Sequence, residues 1–220
     1  MKTEILSFNG INTVGLYGYA TNNYVLIGQE VQDRFLEELE KIFDVPIHKI
    51  TIAGTSLIGV FLNGTEEKLL VPNIAFDSEL KKLDDLKIPY EVIETKFTCL
   101  GNNLLIGKKE GLINSEFSDE EVKKIEKILG IKLHKYKLSD IEAIGSIAVL
   151  NEDKGLISNN ITDKEYKEIQ KILGVELTPG TLNMGSEYIK SSILINKNGL
   201  IIGKGSGGPE IANADQAFRD

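Results

Sequence analysis

The chain has no tryptophan, one cysteine, two methionines and two histidines among its 220 residues. A lone Cys99 excludes an internal disulfide and suits a reducing compartment. With so few large sulfur-containing or indole side chains, packing falls to isoleucine and leucine. No apolar run approaches the ~18 residues that a membrane span requires. The opening MKTEILSFNG lacks the apolar stretch of a secretory signal, so a cytoplasmic location is expected, with no membrane partner. Basic charge is also in deficit: 25 Lys and Arg stand against 33 Asp and Glu, a net charge of −8. Proteins that grip nucleic acid without sequence preference neutralise phosphates with Lys and Arg, so DNA is not an expected partner.

What the chain does have is repetition. GLINSEFSDEEVKKIEKILGIKL (111–133) returns 44 residues later as GLISNNITDKEYKEIQKILGVEL, with 12 of 23 positions identical. The same offset carries Gly155 to Gly199 in ILINKNGLIIG. The segment VFLNGTEEKLLVPNIAFDSELKKLDDLKIPYEV has the same layout, and residues 24–50 fit as a more divergent copy. An apolar residue followed by glycine opens each copy: Val14-Gly15, Ile58-Gly59, Leu100-Gly101, Ile144-Gly145 and Met184-Gly185. The expectation is one domain, residues 1–220, made of five units of about 44 residues.

Each unit reads β-β-α-β. NNLLIG-KKE-GLIN alternates as a hairpin. Ser118-x-x-Glu121 and Thr162-x-x-Glu165 have the spacing of a capping box. Apolar residues then recur at helical spacing, and Gly130 and Gly174 stand where a helix stops. One such unit cannot cover both its helix and its sheet, whereas five in a ring cover each other and leave few open edges. The predicted fold is a five-bladed α/β propeller with pseudo-fivefold symmetry, an arrangement that resembles the pentein group.

Several residue sets carry a chemical reading beside a plain one. Gly203, Gly205 and Gly208 spell G-x-G-x-x-G, but no strand and acid follow, so a strand-to-helix turn is expected. His48, Glu91 and His134 recur at spacings of 43 and could converge as a zinc set, or lie on the solvated face of strands. Cys99 reads as a buried small hydrophobe or as a nucleophile with a histidine base. The second reading belongs to a pentein-type hydrolase or amidinotransferase acting on a guanidino compound. The lysines at 81, 82, 123, 124 and 127 read as solvated helix faces or phosphate contacts.

TNNYVLIG (21–28), IAGTSLIG (52–59), LLVPN (69–73), LGN (100–102) and GTLNMGSE (180–187) resemble the translation initiation factor 6 family, in order and over essentially the whole chain. Without the C-terminal tail usual in eukaryotic members, the chain looks like an archaeal one. The resemblance implies a monomeric, non-enzymatic factor without cofactor or metal. Such a factor binds the large (50S) ribosomal subunit and keeps the small (30S) subunit from joining. The implied contact is mainly a ribosomal protein near the sarcin–ricin loop, with rRNA contact besides, and a part in subunit biogenesis is also implied. The family's ribosome-facing positions include the residue after the apolar-Gly marker, here Val60 and Asn102. Asn102 matches the family motif, whereas Val60 stands where eukaryotic members carry a basic residue. The internal repeat extends these candidates to Leu16, Ser146 and Ser186, and the resemblance adds the segment from Gly208 to Phe218.

Overall fold

The computed structural model describes residues 1–138, 141 and 143–219. It contains five three-stranded sheets, each with its first two strands antiparallel and its second and third parallel. The first blade uses Gly18–Ala20, Val25–Gly28 and Ile47–Ile50, and the second Asn63–Gly64, Leu69–Pro72 and Tyr90–Ile93. The third uses Leu104–Ile106, Glu110–Asn114 and Lys132–Tyr136, and the fourth Ala148–Asn151, Lys154–Ser158 and Glu176–Gly180. A helix joins the second and third strands of each: Leu36–Phe43, Asp77–Asp85, Asp119–Leu129 and Asp163–Leu173. The β-β-α-β propeller read from the repeats is the fold of the chain.

The fifth blade is completed from both ends of the chain. It takes Ile193–Ile195, Gly199–Gly203 and the helix Gly208–Ala217 from the C-terminal region, and its outer strand is Lys2–Leu6. That strand runs parallel to Gly199–Gly203, with Lys2 opposite Gly199 and Leu6 opposite Gly203. The sequence repeats did not announce this closure, because an extended strand of five residues carries no anchor glycine.

Local chemistry accounts for the repeated helices. Ser118 and Thr162 each accept the backbone N–H of the glutamate three residues on, and that glutamate accepts the cap's own N–H at 2.8 Å. Two otherwise unpaired donors are satisfied at each helix start. Gly130 and Gly174 end the helices at φ 68° and 64°, where a side chain would be strained.

Each core is shared between two blades, which is why no unit stands alone. Leu70 and Ile93 of the second blade pack with Leu104, Ile113 and Ile125 of the third. Leu105 and Leu112 of the third pack with Ile157 and Ile169 of the fourth. The same borrowing seals the ring, where Leu194 and Ile201 of the fifth blade join Val25, Ile27 and Leu39 of the first. A buried leucine or isoleucine contributes roughly 1.5–3 kcal/mol, so the residues lent across each seam add to the drive that closes the ring.

Candidate functional site

The apolar-Gly markers form short helical turns that meet around the axis: Val14–Leu16, Ile58–Phe61, Leu100–Asn103 and Ile144–Ser146. Their glycines touch the neighbouring turn's backbone. A Cβ built on Gly59 would lie 2.0 Å from the Gly15 carbonyl oxygen, one on Gly101 2.1 Å from that of Gly59, and one on Gly145 2.5 Å from that of Gly101. Real carbon–oxygen contacts never come so close, so the ring demands glycine there.

The fifth position corrects the sequence reading. The turn that closes the ring is Ile189–Ser192, and the carbonyl facing Gly15 is that of Lys190, 1.9 Å from a Cβ built on Gly15. The marker is therefore Ile189-Lys190, and Met184-Gly185 lies earlier, in the turn that leads to it. Single bridges fix the register: Phe8 pairs with Ile11, Ile52 with Thr55 and Leu182 with Ser186, each three residues before its marker. Asn9-Gly10 and Ala53-Gly54 make the first two turns with positive φ, whereas Asn183, Met184 and Gly185 make the last one with an extra residue. Ser186 thus corresponds to Thr55, and the residue following the fifth marker is Ser191.

Leu16, Val60, Asn102 and Ser146 sit in the four glycine turns, Ser146 buried and the others half-buried. None of them, nor Ser186 or Ser191, lines the axial cavity. They lie at the closed end of the ring. The turns leading to the markers and the helix N-termini collect at the same end, and with them exposed apolar side chains. Met184 is 81% exposed and Phe76 56%, and Ile11 and Tyr188 are also open. The helix Gly208–Ala217 starts there as well, where Glu210 accepts the N–H groups of Gly207, Gly185 and Met184 at 2.7, 2.8 and 3.1 Å.

The opposite end is open. First strands of the blades wall an axial cavity of about 520 Å³ whose floor includes Gly15, Gly145 and Lys190. The hairpin tips bring polar residues of every blade to the mouth, among them Asn22, Glu66, Lys108, Glu152 and Lys197. The Asn22 N–H donates to Glu66 at 2.8 Å, its amide reaches Glu152 at 3.4 Å, and Lys108 pairs with Glu152. The Lys197 N–H donates to the Asn22 side chain at 2.9 Å. Burial raises the Glu66 carboxyl above its usual range, with Glu152 adding to the rise, while Asn22 and Lys197 oppose it.

Other sequence candidates disperse. His48, Glu91 and His134 occupy the outer strands of three different blades, remote from the axis. His134 pairs with Glu110 at 2.5 Å. Among the described residues no three His, Cys, Asp or Glu gather to hold a metal. Cys99 caps the turn Leu100–Asn103, its carbonyl accepting the Asn102 and Asn103 N–H groups, and it does not line the cavity. Neither histidine hydrogen-bonds to it among the described residues, so the nucleophile–base pair of a hydrolase is not assembled. Gly203 and Gly205 turn the chain against Asn12, as a strand-to-helix turn would. The lysines at 81, 82, 123, 124 and 127 are exposed helix residues, and no helix is long and apolar enough to cross a membrane among the described residues.

Comparison with known proteins agrees with this geometry. The model of the eIF-6 family matches residues 3–217. Translation initiation factor 6 of Pyrococcus furiosus is 43% identical over 224 residues, covering 99% of both chains. The protein of that name from Saccharolobus solfataricus is 34% identical over 223 residues, again covering 99% of both. Among solved structures, DDAH from Pseudomonas aeruginosa in complex with citrulline superposes with a TM-score of 0.57 at 11% identity, covering 85% of this chain and 77% of its own. A dimethylarginine dimethylaminohydrolase adduct with S-methyl-L-thiocitrulline matches at 0.57 and 11%, covering 76% and 69%. At that identity the likeness is one of fold.

Proposed function

The chain belongs to the eIF-6 family, and from that premise we propose that it binds the large ribosomal subunit and keeps the small one from joining. The mechanism is steric exclusion, with no bond made or broken and no catalytic residue. The observation that carries the reading is the closed end of the ring. There Leu16, Val60, Asn102, Ser146 and Ser191 lie side by side around the axis, with Met184, Tyr188, Ile11 and Phe76 exposed around them. A clustered apolar surface with a polar surround is the usual anatomy of a protein-binding patch.

The net charge of −8 fits a basic ribosomal protein near the sarcin–ricin loop as the main contact, since complementary charge speeds encounter and penalises wrong partners. The factor acts as a monomer in the cytoplasm on this reading, and a part in subunit maturation is compatible with the same contact. Ser186 stays a candidate through its place beside Met184, although it is not the ring position.

Sedimentation of mixed subunits through a sucrose gradient tests the proposal. Added protein should deplete the joined ribosome peak, and an unchanged peak at saturating protein rules the reading out. Asn102→Ala, checked for intact folding by thermal melting, should bind large subunits about tenfold more weakly at fixed salt. Wild-type affinity in that variant removes Asn102 from the contact.

A further inference from the structure

Lys190 breaks the glycine ring at a place where the other four blades have no side chain at all. Its ammonium donates to the Gly101 carbonyl at 2.6 Å. No carboxylate pairs with it among the described residues. The residue is half-buried, its hydrogen bond to Gly101 partly so, and it helps to floor the axial cavity. A buried cation without a counter-ion is costly to keep. Burial alone drags its amine down from the ordinary lysine range to about 7.

The surroundings define what could supply that counter-ion. The marker turns against Lys190, Val14–Leu16 and Ile144–Ser146, bring no titratable side chain, and neither does Leu100–Asn103, which it reaches. The strand Lys154–Ser158 brings only Lys154, whose ammonium is taken by the Arg219 carbonyl. Tyr19 stands in the wall, held neutral by burial and by its neighbours Tyr24 and Glu66. Glu66, Glu67, Lys108 and Glu152 are all at the mouth. Between floor and mouth the half-buried aliphatic side chains Ile106, Val149 and Leu150 line the wall, beside Tyr19, Thr21 and Asn63. The volume of about 520 Å³ lies within the ~300–1,000 Å³ range of small-molecule sites.

We propose that the axial cavity is a binding site for a small aliphatic monocarboxylate, seated with its carboxylate on Lys190 and its hydrocarbon body against the aliphatic walls. An ammonium has three donors, and one is spent on Gly101, which leaves two for the two oxygens of a carboxylate. Phosphate esters and nucleotides are disfavoured, because they bring more negative charge than one lysine offsets. This site faces away from the closed end, so it stands independently of ribosome docking.

Calorimetric titration of the intact protein with hexanoate, at pH 6 and pH 9, tests the assignment. Hexanoate should bind one site at pH 6 and bind about tenfold or more weakly at pH 9, because the free amine must take up a proton to pair with it. Hexanol and inorganic phosphate should not compete, and Lys190→Met should abolish binding. Absence of saturable hexanoate binding at millimolar concentration, or equal binding by Lys190→Met, overturns the proposal. Should that variant fail to fold, the wild-type protein decides the matter. The midpoint of the Lys190 amine, followed by NMR, must rise when hexanoate is added, and an unmoved midpoint overturns the assignment.

Discussion

Gly101 and Lys190 mark the two extremes of what a single position can do in this ring. Gly101 has no room for a side chain, since a methyl would meet the Gly59 carbonyl oxygen at 2.1 Å and that of Leu62 at 2.9 Å. Both obstacles are backbone, which cannot swing aside. Gly101→Ala should therefore lose about 3 kcal/mol or more, read as a lowered denaturant midpoint, or fail to fold. Lys190 carries the opposite liability. Its amine is held near 7 in the fold and titrates near 10.5 in the unfolded chain. The cost of burying the charge is thus fully present below pH 7 and is relieved as pH rises towards 10.5. Lys190→Met should raise the melting temperature most at pH 6, with the gain shrinking to nothing near pH 10.5. A gain that is constant across pH would mean that the charge is not the cause. Four ring glycines were legible in the sequence because glycine is what the close approach requires. The fifth position was not, because a search for glycine passes over the one blade that has solved the contact with a lysine.

At the scale of elements, one device recurs at the helix starts. A glutamate in the first turn accepts the N–H that begins its own helix, and in two blades it also holds the turn leading to a marker. Glu79 accepts from Phe76, Ala53 and Gly54 at 2.8–2.9 Å, and Glu210 does the same for Gly207, Met184 and Gly185. Burial would raise both carboxyls, but the hydrogen bonds outweigh it and hold them below the usual range. Their stabilisation is present above the ordinary carboxyl pKa and is lost as pH falls below it. Glu210→Gln should cost about 1 kcal/mol at neutral pH and flatten the acid limb of the stability curve, measured by melting between pH 3 and 7. The boxes led by Ser118 and Thr162 were legible because serine and threonine announce a cap. Those at Phe76 and Gly207 were hidden, since only the glutamate half of the motif is there and its second task lies on a turn far earlier in the sequence.

For the whole molecule, the decisive contact is the one no repeat predicts. The strand Lys2–Leu6 completes the fifth blade, and Thr3 fastens it further through Asp215 at 2.5 Å. Deleting residues 1–6 should leave Gly199–Gly203 as a bare edge, lowering the melting temperature by about 10 °C or more and exposing the protein to self-association in light scattering. A monodisperse variant with wild-type melting would show that closure is dispensable. Fivefold architecture was legible because cores shared between blades impose the same anchors on every copy. Which end of the ring carries the candidate residues was not, because they lie on turns whose direction is set only when the ring closes.

Closure by the two ends of the chain also governs how this protein comes into being. Among the described residues, the strand Lys2–Leu6 pairs with Gly199–Gly203, a partner almost the whole ring away in sequence. Until Gly199–Gly203 is present, Lys2–Leu6 lacks that pairing. Folding is thus committed late and all at once, and a chain truncated by premature termination has no finished ring to offer. A ring built this way is complete only once its most distant pairing is made.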